Sequence, residues 1–221
     1  MRMGVLALLV LVAAPAWAGC GDRPGPGIDW SGCTKTRLVL KGRDLKRANL
    51  ERAVLLGVDF TSADLGGASF RAAEINHASF SKARLQGASF EKAIAVRADF
   101  SGARFAGASL EKAEFHRSDL SGAALGGVSL AKGDFGRSVF DGADLTGASL
   151  RLSNVARASF VGAKLAGADL TQAFTFGARF AATDLSAVKG LTQEQVDVAC
   201  GDAKTVLPPG LKAPAPWSCE D

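Results

Sequence analysis

Two series of basic residues repeat at a fixed interval of 20 residues and carry the clearest chemical signal in the sequence. One series is Arg97, Arg117, Arg137 and Arg157. The other lies five residues earlier along the chain and is Lys92, Lys112 and Lys132. Guanidinium and ammonium groups bind phosphate, sulfate and carboxylate groups, and the planar guanidinium does so with two parallel hydrogen bonds. A fold that stacks positions 20 apart would therefore create an anion-binding stripe.

Acidic residues close to both series allow a simpler interpretation. Those expected on the same two sides of the fold are Glu91, Glu111, Glu114 and Asp134. Like charges about 5 Å apart repel unless they are compensated, and surface ion pairs are an ordinary way to compensate them. The sequence leaves both interpretations open: a column of neutralised bases, or a stripe that binds an anionic polymer or anionic lipid head groups.

The remaining reactive side chains do not form a catalytic or metal-binding group in the sequence. His77 and His116 are far from every cysteine, and no C-x-x-C pair is present, so a zinc site is not expected. Carboxylates that fit outward polar positions include Asp64, Asp99, Asp119 and Asp144. We expect a protein that is not an enzyme and that holds no metal or cofactor.

The first 18 residues have the features of a secretory signal peptide. Arg2 gives a basic start, residues 4–14 form an apolar run, and Ala16 and Ala18 place small residues at the cleavage site. This run is shorter than the ~20 residues that a transmembrane helix needs. We predict cleavage after Ala18, a secreted or periplasmic protein, and no transmembrane segment in the mature chain.

The four cysteines suit an oxidising compartment, because pairing each with its sequence neighbour leaves none over. They lie in two groups, one near each terminus: Cys20 with Cys33, and Cys200 with Cys219. Residues 18–20 also resemble the end of a lipoprotein signal, in which Cys20 would carry a lipid anchor. Trp17 stands where that motif has an aliphatic residue, and lipidation would leave an odd number of thiols. We therefore favour two disulfide bonds.

A repeat of five residues must position all these side chains. From Leu40 to Leu185 every fifth residue is Leu, Phe, Ile or Val, except Ala95 and Thr175, and the residue two positions earlier is small in most repeats, most often Ala. Five residues advance a helix by about 500°, which gives no apolar stripe, and an odd period switches the faces of a flat strand. The chain must instead turn a corner every five residues. Columns of glycine and serine repeat every 20 residues, so we predict a four-sided coil with neighbouring coils about 4.8 Å apart.

The repeat resembles that of the pentapeptide repeat family. The pattern A-(D/S/N)-(L/F)-x-x is seen in residues 63–67 and 143–147 and continues without a break over residues 38–187. Members of that family form right-handed quadrilateral β-helices. The resemblance implies that the central Leu or Phe and the residue two before it point inward, and the other three outward. The predicted fold class is all-β: a single right-handed four-sided parallel β-helix of about 7.5 coils, with a short C-terminal capping helix.

The pattern divides the chain into four segments. They are a signal peptide, an N-terminal cap, the β-helix and a C-terminal cap: 1–18, 19–37, 38–187 and 188–221. Proline and glycine in the N-terminal cap argue against regular structure there. Thr192 and Gln195 form a capping-box pattern, which predicts a short helix up to about Cys200.

Apolar residues occupy outward positions beside the two exceptional centres. They are Ile94, Val96, Phe174 and Phe176. These side chains either form a contact surface or pack under a terminal segment. The C-terminal cap is the segment expected to fold over Phe174 and Phe176.

Together these patterns predict a secreted or periplasmic, non-enzymatic scaffold or binding module. The expected partner is a protein or an anionic component of the cell envelope, and no specific nucleic acid is expected. Some cytoplasmic members of the family resemble B-form DNA and act on DNA gyrase, which implies an acidic surface, whereas this chain has a net charge of +4. A DNA-mimic regulator stays an alternative if residues 1–18 are retained. An enzyme is the third alternative, for which a filled prism offers no concave pocket.

Overall fold

Parallel pairing between residues 20 apart builds the fold. The computed structural model describes residues 19–219, so the predicted signal peptide lies outside the described residues. Single-residue parallel bridges run from Asp29 with Asn49 to Asp169 with Lys189, and each coil contributes four of them, one per side. The bridging residue is the one immediately before each apolar centre. The period of 20 found in the sequence is therefore the length of one coil of a four-sided parallel β-helix.

The apolar centres fill the interior of this helix. Every fifth residue from Leu40 to Leu185 is buried, including the two exceptions Ala95 and Thr175. Phenylalanine rings stack from coil to coil, as in Phe60, Phe80 and Phe100, whose successive centroids are 4.8 and 4.7 Å apart. Burial of each Leu or Phe contributes about 1.5–3 kcal/mol. From Ala48 onward the residues two positions earlier are buried as well, and most are small, which leaves room for the large side chains to interlock.

The corners explain why glycine recurs in columns. The second residue after each centre from Leu40 to Phe180 adopts a left-handed conformation, with φ of 67° at Gly147 and 59° at Arg137. Its N–H donates to a carbonyl of the next coil, at 2.9 Å for Gly147 and 2.8 Å for Arg137. Glycine adopts this conformation without cost, whereas an L-residue loses about 1–2 kcal/mol. The turn geometry therefore favours glycine, and it does not explain why arginine or lysine occupies some of these corners.

The series of parallel bridges begins earlier in the chain than the sequence pattern predicts. Asp29 bridges Asn49 and Thr34 bridges Val54, so part of the segment expected to be irregular belongs to the first coil. Trp30 is buried and takes the place of an apolar centre. The sequence contained this signal, because Ile28, Asp29 and Trp30 repeat the order apolar, Asp, large apolar.

The C-terminal segment adds a short helix, α1 (Gln193–Asp197), and then returns to the series of parallel bridges. The capping box is present, because the Thr192 hydroxyl accepts from the N–H of Gln195 and the Gln195 side chain accepts from the N–H of Thr192. The helix ends before the predicted Cys200 because Cys200 pairs with Arg179. Within residues 19–219, no helix is both long enough and apolar enough to span a membrane.

Candidate binding surface

The fold places the four arginines in successive coils at one corner. The bridges from Ile94 to Glu114 and on to Asp134 align the five-residue repeats that carry these arginines. All four side chains are exposed: Arg97, Arg117, Arg137 and Arg157. We call these four residues the arginine column, whose members are about 4.8 Å apart along the axis, the spacing of paired strands.

The three lysines form a second column at the preceding corner of the same side. Lys92, Lys112 and Lys132 are exposed and have φ between 57° and 60°, and the four arginines have φ between 56° and 59°. We call them the lysine column. One side of the prism, which carries Glu114 and Asp134 at its centre, is therefore bordered by two basic edges.

Three of the four neighbouring carboxylates, Glu91, Glu111 and Asp134, pair with groups outside the arginine column. Glu91 pairs with Arg71, and Glu111 lies 3.5 Å from the ammonium of Lys112. Asp134 lies 3.7 Å from Nδ1 of His116 and accepts a hydrogen bond from an asparagine of the next coil. Among residues 19–219, no carboxylate forms an ion pair with any of the four arginines. Ion pairing therefore neutralises one residue of the two basic series, Lys112, and leaves the arginine column charged and exposed.

The predicted apolar positions are not equally exposed. Ile94 and Val96 are half-buried, whereas Phe174 and Phe176 are 58% and 49% exposed. The two phenylalanine rings lie nearly parallel, with centroids 6.4 Å apart. The expectation that the C-terminal cap folds over this pair is wrong.

The cap covers the end of the core instead of the outer face. The Thr175 hydroxyl donates to the carbonyl of Gln195 at 2.8 Å, and the Gln195 amide donates to the carbonyls of Leu170 and Ala173. These bonds hold α1 above the inward-pointing side chain of Thr175, which lies between Phe174 and Phe176 in the sequence. Backbone carbonyls at the last coil need hydrogen-bond partners, so the cap satisfies them and leaves the rings outside.

The arginine column reaches this aromatic pair. The Arg157 guanidinium lies 5.8 Å from the centroid of the Phe176 ring, within the range of a cation–π interaction. The N–H of Arg157 also donates to the carbonyl of Phe176 in the next coil. The charged column and the exposed rings therefore form one continuous surface.

Asp64 corrects the expectation that the carboxylates before the centres point into solvent. Its carboxylate is buried between neighbouring coils, 2.9 Å from Nζ of Lys46 and 2.7 Å from Nη2 of Arg84. Burial acts to raise the pKa of Asp64, but hydrogen bonds from Lys46, the N–H of Gly66 and Arg84 outweigh it and lower the pKa. This group stabilises the coil and has no access to a substrate.

Other aspartates in this position also serve the backbone. Asp144 accepts a hydrogen bond from the N–H of Thr146 at 3.0 Å, and bonds from the side chain and backbone of Thr146 lower the pKa of Asp144. Asp99 and Asp119 accept in the same way from Ser101 and Ser121. These bonds join each side of the coil to its corner. No cluster of three or more His, Cys, Asp or Glu residues in the described chain could hold a metal ion.

Disulfide bonds tie down both ends of the helix. They join Cys20 to Cys33 and Cys200 to Cys219, an arrangement that is compatible with the predicted pairing. At the C-terminal end, the indole N–H of Trp217 also donates to the carbonyl of Ala199 at 3.0 Å.

Comparisons with known proteins bear on the fold. The sequence model of pentapeptide repeats matches eight copies in overlapping stretches: 36–73, 53–91, 83–122, 118–155 and 138–174. No curated protein matches the sequence. A solved structure similar to this chain is HetL from the cyanobacterium Nostoc sp. strain PCC 7120, a pentapeptide repeat protein involved in heterocyst differentiation regulation. It is 24% identical, covers 87% of this chain and 94% of its own, and gives a TM-score of 0.52.

A second similar structure is QnrB1, a plasmid-mediated fluoroquinolone resistance protein. It is 19% identical, covers 81% of this chain and 92% of its own, and gives a TM-score of 0.58. Identities this low show a shared fold and carry no activity from one protein to another. The family match covers more than half of the chain and agrees with the bridges between residues 20 apart. The chain therefore belongs to the pentapeptide repeat family, which implies a right-handed β-helix.

Proposed function

We propose that this protein is a secreted or periplasmic, non-enzymatic binding module that holds an anionic partner against the arginine column. The observation that supports this most directly is the state of the four arginines. They are stacked and exposed, and in the described chain they have no carboxylate ion-pair partner. They also occupy corner positions where glycine would satisfy the turn. The prism of about 7.5 coils would give this column a rigid support roughly 35 Å long.

The column suits a partner with repeated negative charges. Arginines carried on corners about 4.8 Å apart raise the local positive potential, because each charge is within a Debye length of its neighbours. Each group can donate two parallel hydrogen bonds to a phosphate, sulfate or carboxylate. A linear polyanion laid along the axis would contact several arginines at once, so its affinity exceeds that of a single anion.

Chromatography on a phosphate-rich matrix such as phosphocellulose tests the proposal. Arg117→Gln with Arg137→Gln removes two charges from the column. Arg104→Gln with Lys164→Gln removes two exposed charges from another side and serves as the matched control. The column variant should elute at lower salt than both the control and the wild type. Equal elution of the two variants would show that retention follows net charge and not the column.

Export from the cytoplasm rests on the sequence of residues 1–18 and on the two disulfide bonds. Both disulfides suit an oxidising compartment, and the bond from Cys20 to Cys33 uses the thiol that a lipid anchor would need. Mass spectrometry of the mature protein should find Gly19 at its N-terminus. A mature chain that begins at Met1 would favour the DNA-mimic alternative, and one that begins at a lipidated Cys20 would favour a membrane anchor.

A further inference from the structure

Four of the large apolar side chains on the surface gather at one end of the two basic columns. They are Leu152, Phe174, Phe176 and Val198, and their exposed fractions lie between 44% and 58%. We call this set the apolar patch. A cluster of exposed apolar side chains beside charged residues is typical of an interaction site.

The coil geometry makes the patch continuous with both basic columns. Leu152 occupies the corner position that follows Lys132 in the next coil, because the N–H groups of both residues donate to successive coils at the same corner. Phe174 bridges Asn154, two residues after Leu152. Phe176 lies against Arg157, and the carbonyl of Val198 accepts from the N–H of Gly177. Apolar side chains therefore adjoin the last residue of each basic column.

We infer that this surface binds an extended acidic segment of another protein that carries an apolar anchor residue. The acidic part would contact the arginine column near Arg137 and Arg157, and the anchor would rest against the rings of Phe174 and Phe176. The inference rests on the proposed function and adds the class of partner. Charge complementarity selects an acidic partner, and the adjoining patch selects one with an apolar side chain next to its acidic run.

The charges between the columns favour a polypeptide over a lipid surface. Glu74, Glu114 and Asp134 lie along the same side of the prism, each joined to the next coil by parallel bridges. An anionic membrane that covered this side would bring its head groups against all three carboxylates, which is unfavourable. A single extended chain can follow Arg137 and Arg157 and avoid them. At the end where the patch begins, the central position holds neutral Asn154 and then Phe174.

Two short peptides provide the test. One consists of four glutamates followed by phenylalanine, and the other ends in serine instead; each is also made in the reverse order. The wild-type protein should bind the phenylalanine peptide about tenfold more tightly than the serine peptide, because a phenylalanine leaves water. Phe174→Ser with Phe176→Ser should lose this preference and still bind the serine peptide. Val39→Ser, which removes an apolar side chain that is 69% exposed on another side, is the matched control and should keep the preference.

The outcomes separate this inference from the proposed function. If the wild type binds both peptides equally while Arg117→Gln with Arg137→Gln weakens both, the arginine column stands and the anchor inference fails. If Phe174→Ser with Phe176→Ser keeps the preference for the phenylalanine peptide, the apolar patch is not the anchor site and the inference fails. Binding to anionic phosphatidylserine vesicles, with neither peptide bound, would overturn it in favour of a lipid partner.

Discussion

At the scale of single residues, the corner positions show that the arginine column is separable from the fold. Arg117 and Arg137 both have φ of 59°. Glycine holds the same corner at Gly57 and Gly177, at either end of the series that contains the arginines. The chain therefore makes this turn with either residue type. Because glycine adopts the conformation without strain, the arginines can be removed without loss of the structure that carries them.

Replacing arginine by glycine at these corners should leave the protein at least as stable. We expect Arg117→Gly with Arg137→Gly to raise the free energy of unfolding by up to about 1 kcal/mol per site, because left-handed strain is relieved. Urea unfolding measures this change. The opposite substitution is the control: Gly147→Ala places a Cβ in open space and should cost about 1 kcal/mol through backbone strain alone. A large loss of stability in the glycine variant would mean that the arginines hold the coil together.

Asp64 should give the fold part of its sensitivity to acid. Hydrogen bonds from Lys46 and Arg84 keep the pKa of Asp64 lowered in the folded state despite its burial. Because the pKa of Asp64 is lower in the folded than in the unfolded state, its ionised carboxylate stabilises the fold. This stabilisation is fully present when the pH is above the unfolded-state pKa of about 3.9, and it is lost as the pH falls through the folded-state pKa. The free energy of unfolding of Asp64→Asn should therefore fall less than that of the wild type between about pH 6 and about pH 2. Equal losses in the two proteins would exclude this role.

At the scale of the repeating element, each position of the pentad has one environment. Ala108 lies two residues before a centre and is buried, whereas Ala106 lies at an exposed corner of the same coil. Ala108→Leu should overpack the interior and lower the free energy of unfolding by about 1–3 kcal/mol. Ala106→Leu adds the same atoms on the surface and should change it by less than about 0.5 kcal/mol. Thermal and urea unfolding of the pair would contradict the inward assignment if both variants matched the wild type.

This uniformity is why the sequence predicts the middle of the helix and not its ends. Between Leu40 and Leu185 the register never changes, so the period of five gives the buried positions and the period of 20 gives the coil. Beyond Ala187 the register slips, and Asp184 pairs with Val206. That slip follows from where α1 docks on the core, which depends on tertiary hydrogen bonds from Gln195 and leaves no periodic trace in the sequence.

The surface was predictable to a similar depth. The interval of 20 identified both basic columns, because columns follow directly from the coil length. It could not show that Asp64 is buried by Lys46 and Arg84 from neighbouring coils, because pentad position alone predicts a solvent-facing carboxylate. It also could not show that Phe176 stays exposed beside Arg157, since that depends on where the cap docks.

At the scale of the whole molecule, the protein is a filled prism closed by disulfide-linked ends. Its interior is occupied by stacked rings and aliphatic side chains, so its chemistry is confined to the outer columns. A rigid prism holds those columns at fixed spacing, which reduces the entropy lost when an extended partner binds. The arginine column and the apolar patch lie on one continuous surface, so we expect one partner to use both.

Anion binding by the arginine column can be measured as the affinity for linear inorganic polyphosphate while the arginines are replaced by glycine one at a time. The series follows the arginine column from one end to the other: Arg97, Arg117, Arg137 and Arg157. We predict that each replacement weakens binding by about two- to fivefold at low salt, while the free energy of unfolding stays constant or rises. A folded variant that lacks all four arginines and binds polyphosphate as tightly as the wild type would show that the arginine column is not the anion-binding site.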